Sequence, residues 1–155
     1  MSWMVRVLPP WFENLKKRQV KAPKIYIRDS GMLHALLQLA PLQDILGHPK
    51  LGASWEGFAL EHVLNTVNTR DAYYWATHGG AELDLLIFAS GKRFGFEFKY
   101  ADAPSLTHSM HVSLQDLRLD HLWVVYPGSE IYRLHESVTV IPISALHNPI
   151  GMLAT

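Results

Sequence analysis

Glu82-Leu83-Asp84-Leu85-Leu86-Ile87-Phe88-Ala89-Ser90-Gly91-Lys92-Arg93-Phe94-Gly95-Phe96-Glu97-Phe98-Lys99-Tyr100 reads as a β-hairpin that carries three chemically capable side chains. Two apolar runs flank Ser90-Gly91, a short turn signal. With these two residues as the loop, Ala89 faces Lys92, and counting back along both strands sets Asp84 opposite Glu97. Directly opposed side chains on one face have Cβ atoms roughly 4.5–5.5 Å apart. Two carboxylates that close repel each other unless a shared proton or a metal ion compensates. A slip of one residue would send the acids to opposite faces, so the site depends on this register.

The second strand alternates. Phe94, Phe96, Phe98 and Tyr100 fall on one face as the core contact, and Arg93, Gly95, Glu97 and Lys99 on the other. Glu97 and Lys99 therefore project together. A carboxylate binds a hard cation such as Mg²⁺, and a neighbouring ammonium can orient a water or stabilise an oxyanion. A plainer reading pairs Lys99 across the hairpin with Glu82 as a surface ion pair. That pair, however, leaves the second acid beside Glu97 without a purpose.

A third acid comes from a helix. Residues 54–68, Ser54-Trp55-Glu56-Gly57-Phe58-Ala59-Leu60-Glu61-His62-Val63-Leu64-Asn65-Thr66-Val67-Asn68, have helical periodicity with Ser54 as the N-cap. At about 100° per residue, Glu56 falls within the apolar arc of Ala59, Leu60, Val63, Leu64 and Val67. Glu61 falls on the polar arc with Gly57, Asn65 and Asn68, where a solvated side chain is expected. An acid on a core-facing stripe needs a cation, a metal or a proton, although an acid in a first helical turn also favours the helix dipole.

The remaining pattern alternates strands and helices. Lys24–Arg28 is a short strand, and Asp29 or Ser30 caps a helix over Met32–Leu39. A loop runs from Pro41 to Leu51, and Ala72–Ala76 is an aromatic strand. Ser109–Leu119 is a helix, Leu122–Tyr126 a strand buried on both faces, and Ile131–Leu134 and Val138–Ile143 close the sheet. This order predicts a three-layer α/β domain with a mixed central sheet flanked by helices. Residues 1–22, with Pro9-Pro10 and the start of a basic cluster, read as an appendage to a body over 23–155.

A helical acid, then a hairpin Asp, then Glu-x-Lys resembles the PD-(D/E)XK nucleases, which have the restriction-endonuclease-like fold. By that resemblance Asp84, Glu97 and Lys99 match the motif around Mg²⁺ or Mn²⁺, with Asp84 and Glu97 as ligands and Glu56 as the added helical acid. Lys24-Ile25-Tyr26-Ile27-Arg28-Asp29-Ser30-Gly31-Met32-Leu33, Trp55-Glu56-Gly57-Phe58, and Tyr74-Trp75 followed by Gly80-Ala81-Glu82-Leu83-Asp84 resemble one group more closely. It is the domain of unknown function at the C-terminal end of many prokaryotic AAA+-type ATPases. The likeness runs from about Pro23 to Val140-Ile141-Pro142-Ile143. It implies that residues 1–22 are the last strands of a winged-helix region, with the ATPase domain a partner in cis or in trans. It also implies that Gln115, on the helix after Glu-x-Lys, can contact the attacking water or a phosphate. Ala76 and His78 stand where the group often carries basic residues, and no proline precedes Asp84.

Composition narrows the classes. Over 155 residues, hydrophobic content is 48% and charged content 18%, which suits a folded domain. There is no cysteine, which excludes disulfides and thiolate metal sites and is compatible with a reducing cytoplasm. The apolar runs are too short for a membrane span, the first ten residues lack the apolar core of a signal peptide, and no GxxxxGK[ST] loop occurs for ATP hydrolysis. The net charge of zero is not the footprint of an independent nucleic-acid binder. Basic charge is clustered at Lys16, Lys17, Arg18, Lys21 and Lys24, beside Trp11 and Phe12, either for a phosphate backbone or as a solvated hairpin. The nine histidines lack a His-Glu-x-x-His spacing and read as scattered surface residues. Three functions stay open: a Mg²⁺- or Mn²⁺-dependent phosphodiesterase on DNA or RNA, a silent module that binds nucleic acid or protein, and a structural domain presenting Trp3, Trp11 and Phe12.

Overall fold

The computed structural model describes residues 4–29 and 50–147, with Gly31 and Gly151. The helix expected over Met32–Leu39, with its cap at Ser30, and the loop around Gly47-His48-Pro49 lie outside the described residues, as does Trp3.

The hairpin forms in the expected register. Strand β4 (Glu82–Ala89) pairs antiparallel with β5 (Lys92–Phe98), with Ala89 facing Lys92 and Leu85 facing Phe96. Both loop residues have positive φ, 52° at Ser90 and 73° at Gly91, as a type I′ turn requires. That turn matches the twist of the strands and holds the register.

The sheet has six strands in the order β3-β4-β5-β6-β8-β7, with β3 at Ala72–Ala76, β6 at His121–Tyr126, β7 at Tyr132–His135 and β8 at Val138–Pro142. It is mixed: β3–β4–β5 are antiparallel, β5–β6 and β6–β8 parallel, and β8–β7 antiparallel. Helix α1 (Leu51–Val67) covers one face and α2 (His108–Asp116) the other. On the α1 side, Leu60 and Val63 pack against Leu85, Ile87, Phe94, Phe96 and Phe98. On the α2 side, Met110 and Leu117 pack against Leu86, Leu122, Val124 and Val140. Each fully buried side chain of this size contributes about 1.5–3 kcal/mol. The three layers are those expected, and β6 is buried along its whole length.

The predicted alternation of β5 holds through Phe98, whereas Tyr100 is 46% exposed and meets Trp55 edge-on. The opposite face of β5 is not open. A Cβ at Gly95 would lie 2.7 Å from a Leu119 methyl and 3.1 Å from a Leu83 methyl, so a larger residue there would have to displace the leucine side chains that close over the strand.

The N-terminal segment is part of the same core. Strands β1 (Val5–Leu8) and β2 (Lys24–Ile27) form an antiparallel ribbon that joins residues on either side of residue 22. Leu8 is buried in the α1-side core. Between the two strands the chain runs along the free edge of β3: Trp11 N–H donates to the Tyr74 carbonyl at 2.7 Å, and Val20 N–H to that of Ala76 at 2.9 Å. Trp11 packs on Tyr73 and Phe88, while Phe12 is exposed.

Helix boundaries differ at the N-terminal ends. Helix α1 begins three residues before Ser54, and Ser54 is a buried residue within it, not its cap. Helix α2 is capped by Thr107, whose side chain accepts from Met110 N–H at 3.2 Å. Among the described residues, no helix is long and apolar enough to cross a membrane.

Candidate acid–lysine site

The site gathers where β4 begins and β5 ends. The register of β3 against β4 shifts between Tyr73 and Trp75: Tyr73 faces Leu86, but Trp75 faces Leu83. One extra residue is thus accommodated on β4 in the stretch containing Asp84, and such a bulge re-aims side chains locally. The Asp84 carboxylate accepts a hydrogen bond from Phe98 N–H at 2.9 Å, which ties it to the end of β5 next to Glu97.

Asp84 and Glu97 are both buried, at 8% and 3% exposure. Burial pushes the Asp84 carboxyl well above the usual range, and Glu97 and Glu56 push it further, while Phe98 N–H and Lys24 pull it down. Burial also raises Glu97, against the pull of Lys99. Lys99 Nζ lies 2.9 Å from Glu97 Oε2. Burial lowers the Lys99 ammonium, but Glu97, Asp84 and Glu56 outweigh it, so its pKa is raised and it stays charged. Glu97 Oε1 is buried and has no hydrogen-bond partner among the described residues. A buried carboxylate oxygen of that kind is costly without a cation, proton or water.

Glu56 is half-buried on α1 and faces β2: its Oε1 accepts from Tyr26 Oη at 2.5 Å and from Lys24 Nζ at 3.2 Å. Lys24 was expected as a solvated residue or a phosphate contact. It is instead within the cluster, paired with Glu82 and 3.9 Å from Asp84 Oδ1. The plainer alternative, a Lys99–Glu82 pair, is not what forms: Glu82 takes Lys24, and Lys99 takes Glu97.

Glu61 corrects the sequence reading. It is buried, not solvated, because the β1–β2 ribbon lies over the polar arc of α1. Arg6 Nε pairs with Glu61 Oε1 and Arg6 Nη2 donates to Oε2 at 3.0 Å, while Arg28 Nε reaches the same Oε2 at 3.2 Å. A helix-wheel reading marks a polar arc but cannot tell water from an arginine ribbon folded onto it. Gln115 is exposed on α2, and among the described residues no hydrogen bond joins it to the acids. Lys17, the other paired member of the basic cluster, meets Asp116 at 2.6 Å. His121 is buried, contrary to a scattered surface set. It bonds Thr139 at 2.9 Å, and burial with nearby Arg133 holds its pKa down at about 4, so it is a neutral core residue.

The donor set is all carboxylate, which suits Mg²⁺ or Mn²⁺. Asp84 and the unpartnered Oε1 of Glu97 fit a hard cation, whereas Glu56 is already engaged by Lys24 and Tyr26. Among the described residues, no three acidic or imidazole side chains converge as a ready-made metal site.

Two families match along the chain: a domain of unknown function, DUF4143, over residues 51–146, and another, DUF8612, over residues 1–43. Uncharacterized proteins of Mycobacterium tuberculosis and Mycobacterium bovis are each 47% identical to it over 139 residues. That alignment covers 90% of this chain and 32% of each relative, so the chain spans about a third of the length of the curated relatives it matches. No solved structure matches it. The matched span from 51 to 146 takes in α1, α2 and the whole six-stranded sheet, and the chain belongs to the DUF4143 family.

Proposed function

We propose that this domain is a PD-(D/E)XK-type nuclease module, a Mg²⁺- or Mn²⁺-dependent phosphodiesterase acting on DNA or RNA beside an AAA+-type ATPase domain. One observation carries the reading: a buried Asp84–Glu97 pair in which Glu97 offers one oxygen to Lys99 and leaves the other unpartnered. Acids paired in this way destabilise a fold unless they serve a cation. Asp84 and Glu97 would hold the metal, with Glu56 reaching it directly or through water. When bound, the metal lowers the pKa of a water and neutralises phosphate charge.

The lysine's role follows from its protonation. Lys99 is held as an ammonium by its acid neighbours, so it cannot act as the general base. It can donate hydrogen bonds to the attacking water and to a phosphate oxygen. In the reaction the water oxygen would bond to phosphorus and one water proton would pass to solvent, while the bond from phosphorus to the sugar oxygen breaks and that oxygen takes a proton from solvent, leaving a phosphomonoester and a free hydroxyl. A cavity of about 560 Å³ at the C-terminal end of α1 is lined by Asn65, Asn68 and Arg70, beside Arg6 and Arg28, which are paired with Glu61; Arg70 is the guanidinium it presents to a nucleic-acid phosphate.

A second reading is a catalytically silent module that binds nucleic acid or protein. The Lys24 ammonium among the acids, with Ala76 and His78 where basic residues are common, favours it. The two readings separate on Lys99→Ala. For the nuclease, with Mn²⁺ and single- and double-stranded DNA and RNA as probes, this substitution abolishes cleavage and leaves Mn²⁺ binding intact. Cleavage that survives it would assign the activity to another site or a contaminant. Absence of cleavage by the wild type on every probe supports the silent module.

A further inference from the structure

Lys24 brings a cation from a distant part of the chain to the acid cluster. Its Nζ is 3.2 Å from Glu56 Oε1, 3.9 Å from Asp84 Oδ1, and paired with Glu82. The side chain is 26% exposed, and the Tyr74 ring lies 5.2 Å from the ammonium. An ammonium with three N–H donors and carboxylate partners occupies the same chemistry as a hard divalent ion. Tyr26, two positions along β2 from Lys24 and so on the same face, donates to the same Glu56 oxygen, so the ribbon holds this acid at two points.

We infer that Lys24 is a tethered counter-ion that competes with the divalent cation for Glu56 and Asp84, so that metal loading requires the lysine to withdraw. This rests on the metal reading above. Two cations cannot share the same carboxylate oxygens at these distances without strong repulsion in a partly buried site. Before loading, Lys24 neutralises part of the acid charge. Glu97 Oε1, which Lys24 does not reach, is the oxygen left open to an incoming ion. The competition is a property of β2, a strand remote in sequence from the hairpin that carries the motif. Anything that shifts the β1–β2 ribbon against α1 would therefore change metal affinity without touching Asp84 or Glu97.

The test is calorimetric titration of Mn²⁺ into the full chain as wild type, Lys24→Gln and Lys24→Arg, with melting curves in chelator to check folding. In parallel, the Lys24 ¹³Cε resonance of the wild type is followed through a Mg²⁺ titration. Lys24→Gln is expected to bind Mn²⁺ at least about tenfold more tightly, Lys24→Arg to stay near wild type, and Mg²⁺ to move the Lys24 resonance. Equal or weaker Mn²⁺ affinity in Lys24→Gln, with a Lys24 resonance indifferent to Mg²⁺, overturns the competition and leaves the metal reading standing. Binding by none of the three proteins overturns both. If Lys24→Gln does not fold, the wild-type resonance decides.

Discussion

Asp84→Asn is expected to stabilise the protein in chelator at pH 8, by about 2 kcal/mol, and to have little effect near pH 4. The cause is the buried acid pair. Burial raises the Asp84 pKa in the folded state, and Glu97 and Glu56 raise it further. For a group whose folded pKa exceeds its unfolded value, the stabilising contribution is complete below the unfolded pKa, about 4 for a carboxyl. It is lost as pH rises through the raised folded value. Without metal, the wild type therefore forfeits stability between mildly acidic and alkaline pH, and Glu97 adds to the same trend. Asparagine carries no charge, and its side-chain oxygen can still accept from Phe98 N–H. For a chain of this length, the gain corresponds to a melting-temperature rise of roughly 4–8 °C at pH 8. Melting curves of both proteins from pH 5 to pH 8 check it. A lower melting temperature for Asp84→Asn at pH 8 would mean that the acids are not in conflict.

Glu61→Ala is expected to destabilise the fold by about 2 kcal/mol, read by urea unfolding. Removing one partner of a buried ion pair costs ~3–5 kcal/mol, because the other partner stays buried and unpaired. Here Arg6 and Arg28 have 26% and 36% of their side-chain surface in water, so solvent absorbs part of that cost. The loss also loosens the ribbon from α1, since Arg6 lies on β1 and Arg28 directly follows β2 at the same end of the ribbon. An exposed glutamate on a helix would change stability by no more than about 0.5 kcal/mol. An effect that small would return Glu61 to the solvated role its arc suggests.

The difference between legible and illegible residues is one of range. The hairpin register could be read because a two-residue turn with positive φ at both positions leaves the flanking strands one pairing, and the period of two then orders every side chain. Glu97 and Lys99 follow from it, whereas Asp84 lies beyond the last pair of the ladder, Leu85 with Phe96, and within the stretch where β4 bulges. Residues misread were those decided by contacts between distant segments. Glu61 and Lys24 carry polar side chains, and nothing local distinguishes water from a partner 32 to 60 positions away. The start of α1 was misplaced because Lys50 is not a favoured cap residue, while Ser54 four residues later is one. The β4 bulge near Asp84 leaves no local signal such as glycine. Even so, it governs where the aspartate points.

The most direct measurement is calorimetric titration of Mn²⁺ into wild-type protein and Asp84→Asn side by side. Saturable binding by the wild type that the substitution removes is the expected result. Equal binding by both proteins, or none by either, would contradict Asp84 as a metal ligand.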